Sequence, residues 1–165
     1  MRINRMKFFQ QELMTAGTAG SIALIGVISL STPAWADRIT NMIREANTLA
    51  DNGYMSSAIN TYRSAAKLDR EKKLGQQNPS LYYNLGLLMA QEGKKAEARD
   101  AFRQALAIKP DHFKAQYNLA LILDDLGEKD KAREAFAKTL GMASGNAPMA
   151  QEILQTMDER NLTRK

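Results

Sequence analysis

The strongest constraint on the fold is a self-match at an interval of 34 residues. The stretch "EGKKAEARDAFRQALAIKPD" at 92–111 returns as "LGEKDKAREAFAKTLGMASG" at 126–145. Gly93, Ala98, Ala101 and Phe102 become Gly127, Ala132, Ala135 and Phe136, and upstream Asn84-Leu85-Gly86 becomes Asn118-Leu119-Ala120. Gly53, Ala58, Tyr62, Ala65 and Leu68 meet the same landmarks at an offset of 40, which leaves six extra residues, "KLGQQN", at 73–78. A period of this size marks an array of stacked supersecondary units. The copies run over 39–72, 79–112 and 113–146.

Each copy reads as two helices. Ala98, Ala101, Phe102, Ala105 and Ile108 fall at helical spacing and form one apolar stripe, and Tyr82, Leu85 and Met89 form another on the preceding segment. Gly86 and Ala98 are small where larger side chains would hold the two helices apart. Gly93 suits the turn between them, and Pro110 ends the second. A helix of this length is marginal alone in water. A single pair cannot bury its stripe either, so the unit must recur. After the third copy, "MASGNAP" reads as a loop, and Met149, Ile153, Leu154 and Met157 space out a final amphipathic helix over 147–161.

Residues 79–112 resemble the tetratricopeptide repeat. The family pattern appears as Tyr82, Leu85-Gly86, Met89, Ala98, Phe102, Ala105 and Pro110. The third copy departs at Thr139 and Ser144, and the first at Ala46 and Arg70. Pentatricopeptide repeats lack these landmarks, and Sel1-like repeats carry longer, glycine-rich turns. The resemblance implies an all-α fold, a right-handed α-solenoid of three helix-turn-helix repeats closed by a capping helix. It also implies a non-catalytic protein-interaction module that holds an extended partner segment in a concave groove lined by the first helix of each repeat. Mapped here, the groove would present Arg44, Asn47, Tyr83, Asn84, Leu87, Lys114, Tyr117, Asn118, Leu121 and Asp125. Asparagine offers a donor and an acceptor to a peptide backbone, and tyrosine offers large contact area with a polar tip. One subgroup clamps a partner's carboxylate. Asn47, Asn84 and Lys114 stand at three of its positions, but Ile43 and Asn118 replace two of its cations, which removes most of the charge-assisted grip.

The start of the chain has a different design. Arg2, Arg5 and Lys7 precede an uncharged, mostly apolar run from Ala16 to Leu30, then Pro33 and the small-residue pattern Ala34-Trp35-Ala36. This is the layout of a secretory signal, with the cut expected between Ala36 and Asp37. The expected organisation is therefore a signal peptide over 1–36 and a repeat domain over 37–165. The expected compartment is the periplasm, or a thylakoid lumen if the host is photosynthetic. The alternative is an inner-membrane-anchored structural component of an envelope complex that keeps this segment.

Other residues narrow the chemistry. Cysteine is absent and His112 is the lone histidine, which excludes thiolate chemistry, disulfides and multi-histidine metal sites. No cofactor, metal or catalytic group is assigned, and the partner is another protein or peptide. The net charge of +3 beyond residue 36 is too mild to argue for nucleic acid. Membrane contact is expected only if the first segment is retained. His112 reads as a loop residue, Asp124 and Asp125 as solvated residues near a helix end, and Glu152, Asp158, Glu159 and Arg160 as facing water. The Lys and Glu residues of 94–99 and 128–134 read as a wet face supported by i,i+4 pairs.

Overall fold

The computed structural model describes residues 34–72 and 77–163, which form seven α-helices and no strand. The helices are α1 (Ala34–Asp51), α2 (Met55–Lys72), α3 (Pro79–Gln91), α4 (Lys95–Ile108), α5 (Phe113–Asp125), α6 (Lys129–Met142) and α7 (Ala147–Glu159). They stack as an all-α helical solenoid, in which close backbone packing joins each helix to the next along the chain. The predicted signal segment lies outside the described residues except for Ala34, Trp35 and Ala36. These three open α1, with the expected cut between Ala36 and Asp37 inside its first turn.

The core follows the stripes. Ala98, Ala101, Phe102 and Ala105 on α4 are buried against Leu81, Tyr82, Leu85 and Met89 on α3. Tyr62, Phe102 and Phe136, at one position of the repeat, are each wholly buried. The fit around Phe102 depends on Gly86: a Cβ there would lie 2.7 Å from Cε1 and 2.8 Å from Cδ1 of the ring. Ala46 and Ala120 stand at the equivalent places and are also wholly buried.

Turn chemistry repeats as faithfully as the core. Gly93 has φ +73°, a conformation that costs other residues strain. Its N–H donates to the Ala90 carbonyl, and the Lys94 N–H donates to that of Met89, which satisfies the helix-end acceptors. Gly53 and Gly127 close α1 and α5 in the same way. Helix starts are capped by Asn78, His112 and Asn146, spaced 34 residues apart. Asn78 Oδ1 accepts from the N–H groups of Ser80 and Leu81, His112 Nδ1 from Ala115 at 3.2 Å, and Asn146 Oδ1 from Met149 at 3.2 Å. His112 is thus a capping residue and not a plain loop residue, because its Nδ1 supplies the acceptor that Asn supplies elsewhere.

The final helix, expected to close the array, carries the repeat's own landmarks. It spans Ala147–Glu159, each end 34 residues beyond the corresponding end of α5. Asn161, with φ +56°, stands where Gly127 would fall. The Asn161 N–H bonds to Asp158 and the Leu162 N–H to Met157, the same turn again. Asparagine tolerates this left-handed conformation better than most residues, which is why the match escapes a search for glycine. The capping helix α7 thus keeps the register of a first helix of the repeat. Leu154, at the place of buried Ala120, is exposed.

Helix α2 runs for 18 residues, against 14 in α4 and α6, and ends at Lys72, just before the extra residues at 73–78. Near its end Asp69 is buried and accepts hydrogen bonds from the Tyr82 hydroxyl at 3.0 Å and the Asn78 N–H at 3.4 Å. Burial and the Asp69 carboxylate push the Tyr82 phenol pKa well up. The end of α2 is thereby tied to the start of α3. Thr139, a departure from the family pattern, is buried and returns its hydroxyl to the Ala135 carbonyl at 2.8 Å.

Gly86→Ala gains about 1 kcal/mol of helix propensity but must displace a ring that has nowhere to go, and overpacking costs about 1–3 kcal/mol. We expect Gly86→Ala and Ala98→Leu each to lower the melting temperature followed by circular dichroism.

Candidate functional site

The first helices α1 and α3 bring three of the expected groove residues to one place. Asn47, Asn84 and Leu87 line a cavity of about 300 Å³ with Asp51, Met55, Tyr62, Leu88 and Gln91. The Tyr62 hydroxyl donates to Asn47 Oδ1 and accepts from Asn84 Nδ2 at 3.1 Å. Tyr62 belongs to α2 and its ring is part of the core, so the floor of the cavity is a polar bridge held by a buried aromatic. Burial pushes the Tyr62 phenol up; the Asn84 hydrogen bond acts the other way, and the Asp51 charge adds to the rise. Sequence reasoning passed over Tyr62 because the repeat assigns that position to packing. The signal was the one hydroxyl separating it from Phe102 and Phe136 at the same place.

The remaining expected residues are dispersed. Tyr83 is half-buried, with its ring 6.0 Å from Phe102 and 5.0 Å from His112. Burial raises its pKa against the effect of a hydrogen bond from Asn118. Asn118 also donates to the Lys114 carbonyl at 2.8 Å, within its own helix. Arg44 is exposed and bonds Asn41 at 3.0 Å, while Lys114 is exposed and Leu121 half-buried. Tyr117 packs edge-on to Phe136 at 5.9 Å, and its hydroxyl meets Thr156 of α7 at 3.1 Å. Asp125 is bonded by Arg160 at 2.8 Å. Tyr117 is therefore covered from the C-terminal side, and Asp125, still exposed, is ion-paired from it.

The contact with α7 corrects the reading of Asp124 and Arg160 as solvated. The Asp124 side chain is 7% exposed. It accepts from Lys129 and, at 2.8 Å, from Arg160. The cause is register: Arg160 follows the last turn of α7 and reaches back over the end of α5. Burial acts to raise the Asp124 carboxyl, but the hydrogen bonds from Lys129 and Arg160 outweigh it and hold the carboxyl below its ordinary value. The charged face of the second helices is organised partly within helices, as in Lys138–Glu134, and partly between copies, as in Arg63–Glu97 and Arg99–Glu128.

A larger cleft of about 550 Å³ lies between α2 and α4, floored by Tyr82, Leu85 and Met89. An equivalent cleft of about 280 Å³ lies between α4 and α6, over Gln116, Leu119 and Leu123. Its recurrence identifies it as the packing seam between second helices, and the Arg63–Glu97 pair bridges its rim. The smaller cavity between α1 and α3 is the better candidate because its polar groups converge there. Among the described residues no group of His, Asp or Glu side chains could hold a metal ion. None of the described helices is long and apolar enough to cross a membrane.

Comparison with known proteins agrees with this architecture. The family model described as the cilia and flagella-associated protein 70 middle TPR-like domain matches residues 47–157. No curated protein matches the chain. Among solved structures, MamA is 28% identical with a TM-score of 0.63, covering 77% of this chain and 71% of its own. The Pseudomonas aeruginosa protein PcrH, in complex with the chaperone binding region of PopD, is 13% identical with a TM-score of 0.67. That match covers 79% of this chain and 96% of PcrH. The Arabidopsis OM64 TPR domain is 18% identical with a TM-score of 0.63, covering 76% and 98%.

The paired Asp124 contributes stability that is present above the unfolded carboxylate pKa of about 3.9 and is lost as pH falls through the lower folded value. We expect the protection of α7 amides, relative to their intrinsic exchange at the same pH, to fall below about pH 4 before that of α3 and α4. Asp124→Asn should show the lowered α7 protection already at neutral pH.

Proposed function

This chain belongs to the family of the cilia and flagella-associated protein 70 middle TPR-like domain, and from that tetratricopeptide-repeat membership we propose that it holds an extended segment of a partner protein along the first helices of its repeats, without catalysing a reaction. The fold is that of a protein-interaction scaffold. One observation carries the location of the site: the cavity in which Asn47, Asn84 and Leu87 converge on the Tyr62 hydroxyl. It joins amide donors and acceptors, which suit a peptide backbone, to an exposed leucine, which suits an apolar side chain. Structural neighbours support the partner class, since PcrH is seen with a region of PopD and the Yersinia enterocolitica protein SycD with a peptide of YopD.

The test is selection from a displayed library of randomised 12-residue peptides on the full chain. We expect enrichment that Asn84→Ala reduces at least tenfold while the helical melt stays nearly unchanged. Equal enrichment by the variant would move the site away from this cavity.

We further propose that the chain works outside the cytoplasm, as scaffold or assembly factor in the periplasm or a thylakoid lumen. The support is the three-part design of residues 1–36. A retained, membrane-anchored start is favoured by one observation: Trp35 packs against the core from the first turn of α1, and cutting after Ala36 would remove it. N-terminal sequencing of the native protein decides between them. Asp37 as first residue is the expected result, and an intact start would make the chain an anchored component.

A further inference from the structure

We propose that the cavity between α1 and α3 takes a basic side chain, lysine or arginine, of the bound segment, with Asp51 as its counter-ion. The inference rests on the groove reading above and adds the charge of what the groove selects.

The cavity lining contains the Asp51 carboxylate and no lysine, arginine or histidine. Asp51 is the last residue of α1, and the last turn of that helix holds no basic residue. A carboxylate there sits at the negative end of the helix dipole, where it repels the helix-end carbonyls and favours an external cation. The surrounding groups match a long basic side chain. Met55, Leu87 and Leu88 offer apolar surface to its methylene stem, while the Gln91 amide oxygen adds a further acceptor to Asp51.

The repeat shows what this position binds. Asp51 corresponds to Gln91 in the second copy and to Asp125 in the third. Asp125, at the end of α5, is bonded by the Arg160 guanidinium at 2.8 Å, and Lys95 approaches it at 4.0 Å. Arg160 and Lys129 together neutralise the pair Asp124 and Asp125. At the repeat positions of those two cations relative to Asp51 stand Glu92 and Met55. The carboxylate at the end of a first helix is thus satisfied from within the chain in the third copy. In the first copy no ion pair to Asp51 is present among the described residues, and a partner's cation fills that role. The selectivity is opposite to that of a carboxylate clamp.

The peptide selection described above tests this directly. We expect the enriched peptides to carry lysine or arginine at one fixed place, and a norleucine replacement there to weaken binding about tenfold. Asp51 is exposed at a helix end, and a cation there suits the dipole, so Asp51→Lys should fold, as its melt will show. That full-length variant should lose the basic peptides and enrich acidic ones. Enrichment with no basic preference, or a preference that Asp51→Lys leaves intact, overturns the inference while the groove reading stands. A library that gives no enrichment on the native chain overturns both.

Discussion

The structure depends on a buried aromatic ring meeting a backbone with almost no side chain. Phe102 fills the space that Gly86 leaves on the helix before it, and a single methyl group there would overlap the ring. Close approach of the two helices brings their apolar stripes into register, and at the equivalent places Ala46 with Tyr62, and Ala120 with Phe136, are wholly buried too. Each pair still leaves apolar surface that the next pair must cover, so the elements are stable as a series and not singly. Turn glycines and helix caps then hold the spacing constant from one copy to the next.

That constancy makes the departures informative. Where the repeat expects phenylalanine, Tyr62 adds one oxygen, and this oxygen joins Asn47 to Asn84 across two helices. Where it expects a bare helix end, Asp124 and Asp125 collect Arg160 and Lys129. Where α2 would stop, it continues, and Asp69 near its end fixes the Tyr82 hydroxyl. Packing positions that gain a polar atom, and polar positions that become enclosed, are where this chain differs from a generic array.

The fold was legible in the sequence because periodicity reports backbone geometry directly. The stripes of α3 and α4, the turn at Gly93 and the small residues at Gly86 and Ala98 all follow from spacing and residue size. The site was legible in part. Asn47, Asn84 and Leu87 share a cavity because they lie on adjacent first helices, which position in the repeat conveys. Tyr117 and Asp125 also lie on a first helix, but what covers them depends on α7. That helix was legible as a closing element, but its turn at Asn161 and the reach of Arg160 were not. His112 and Asp69 were missed for a different reason. Their roles depend on which backbone group or hydroxyl lies 3 Å away, a distance set by tertiary contact and not by local pattern.

Close packing between consecutive helices has a mechanical consequence. Among the described residues the principal packing joins neighbouring helices, the topology of fast folders. A pull on the termini would peel the helices off in order, each detachment leaving the next pair intact. Resistance to stretching is then spread as a row of small steps, the last of which must also break the Arg160 bonds to Asp124 and Asp125. A chain built this way can give up its last helix without losing the rest.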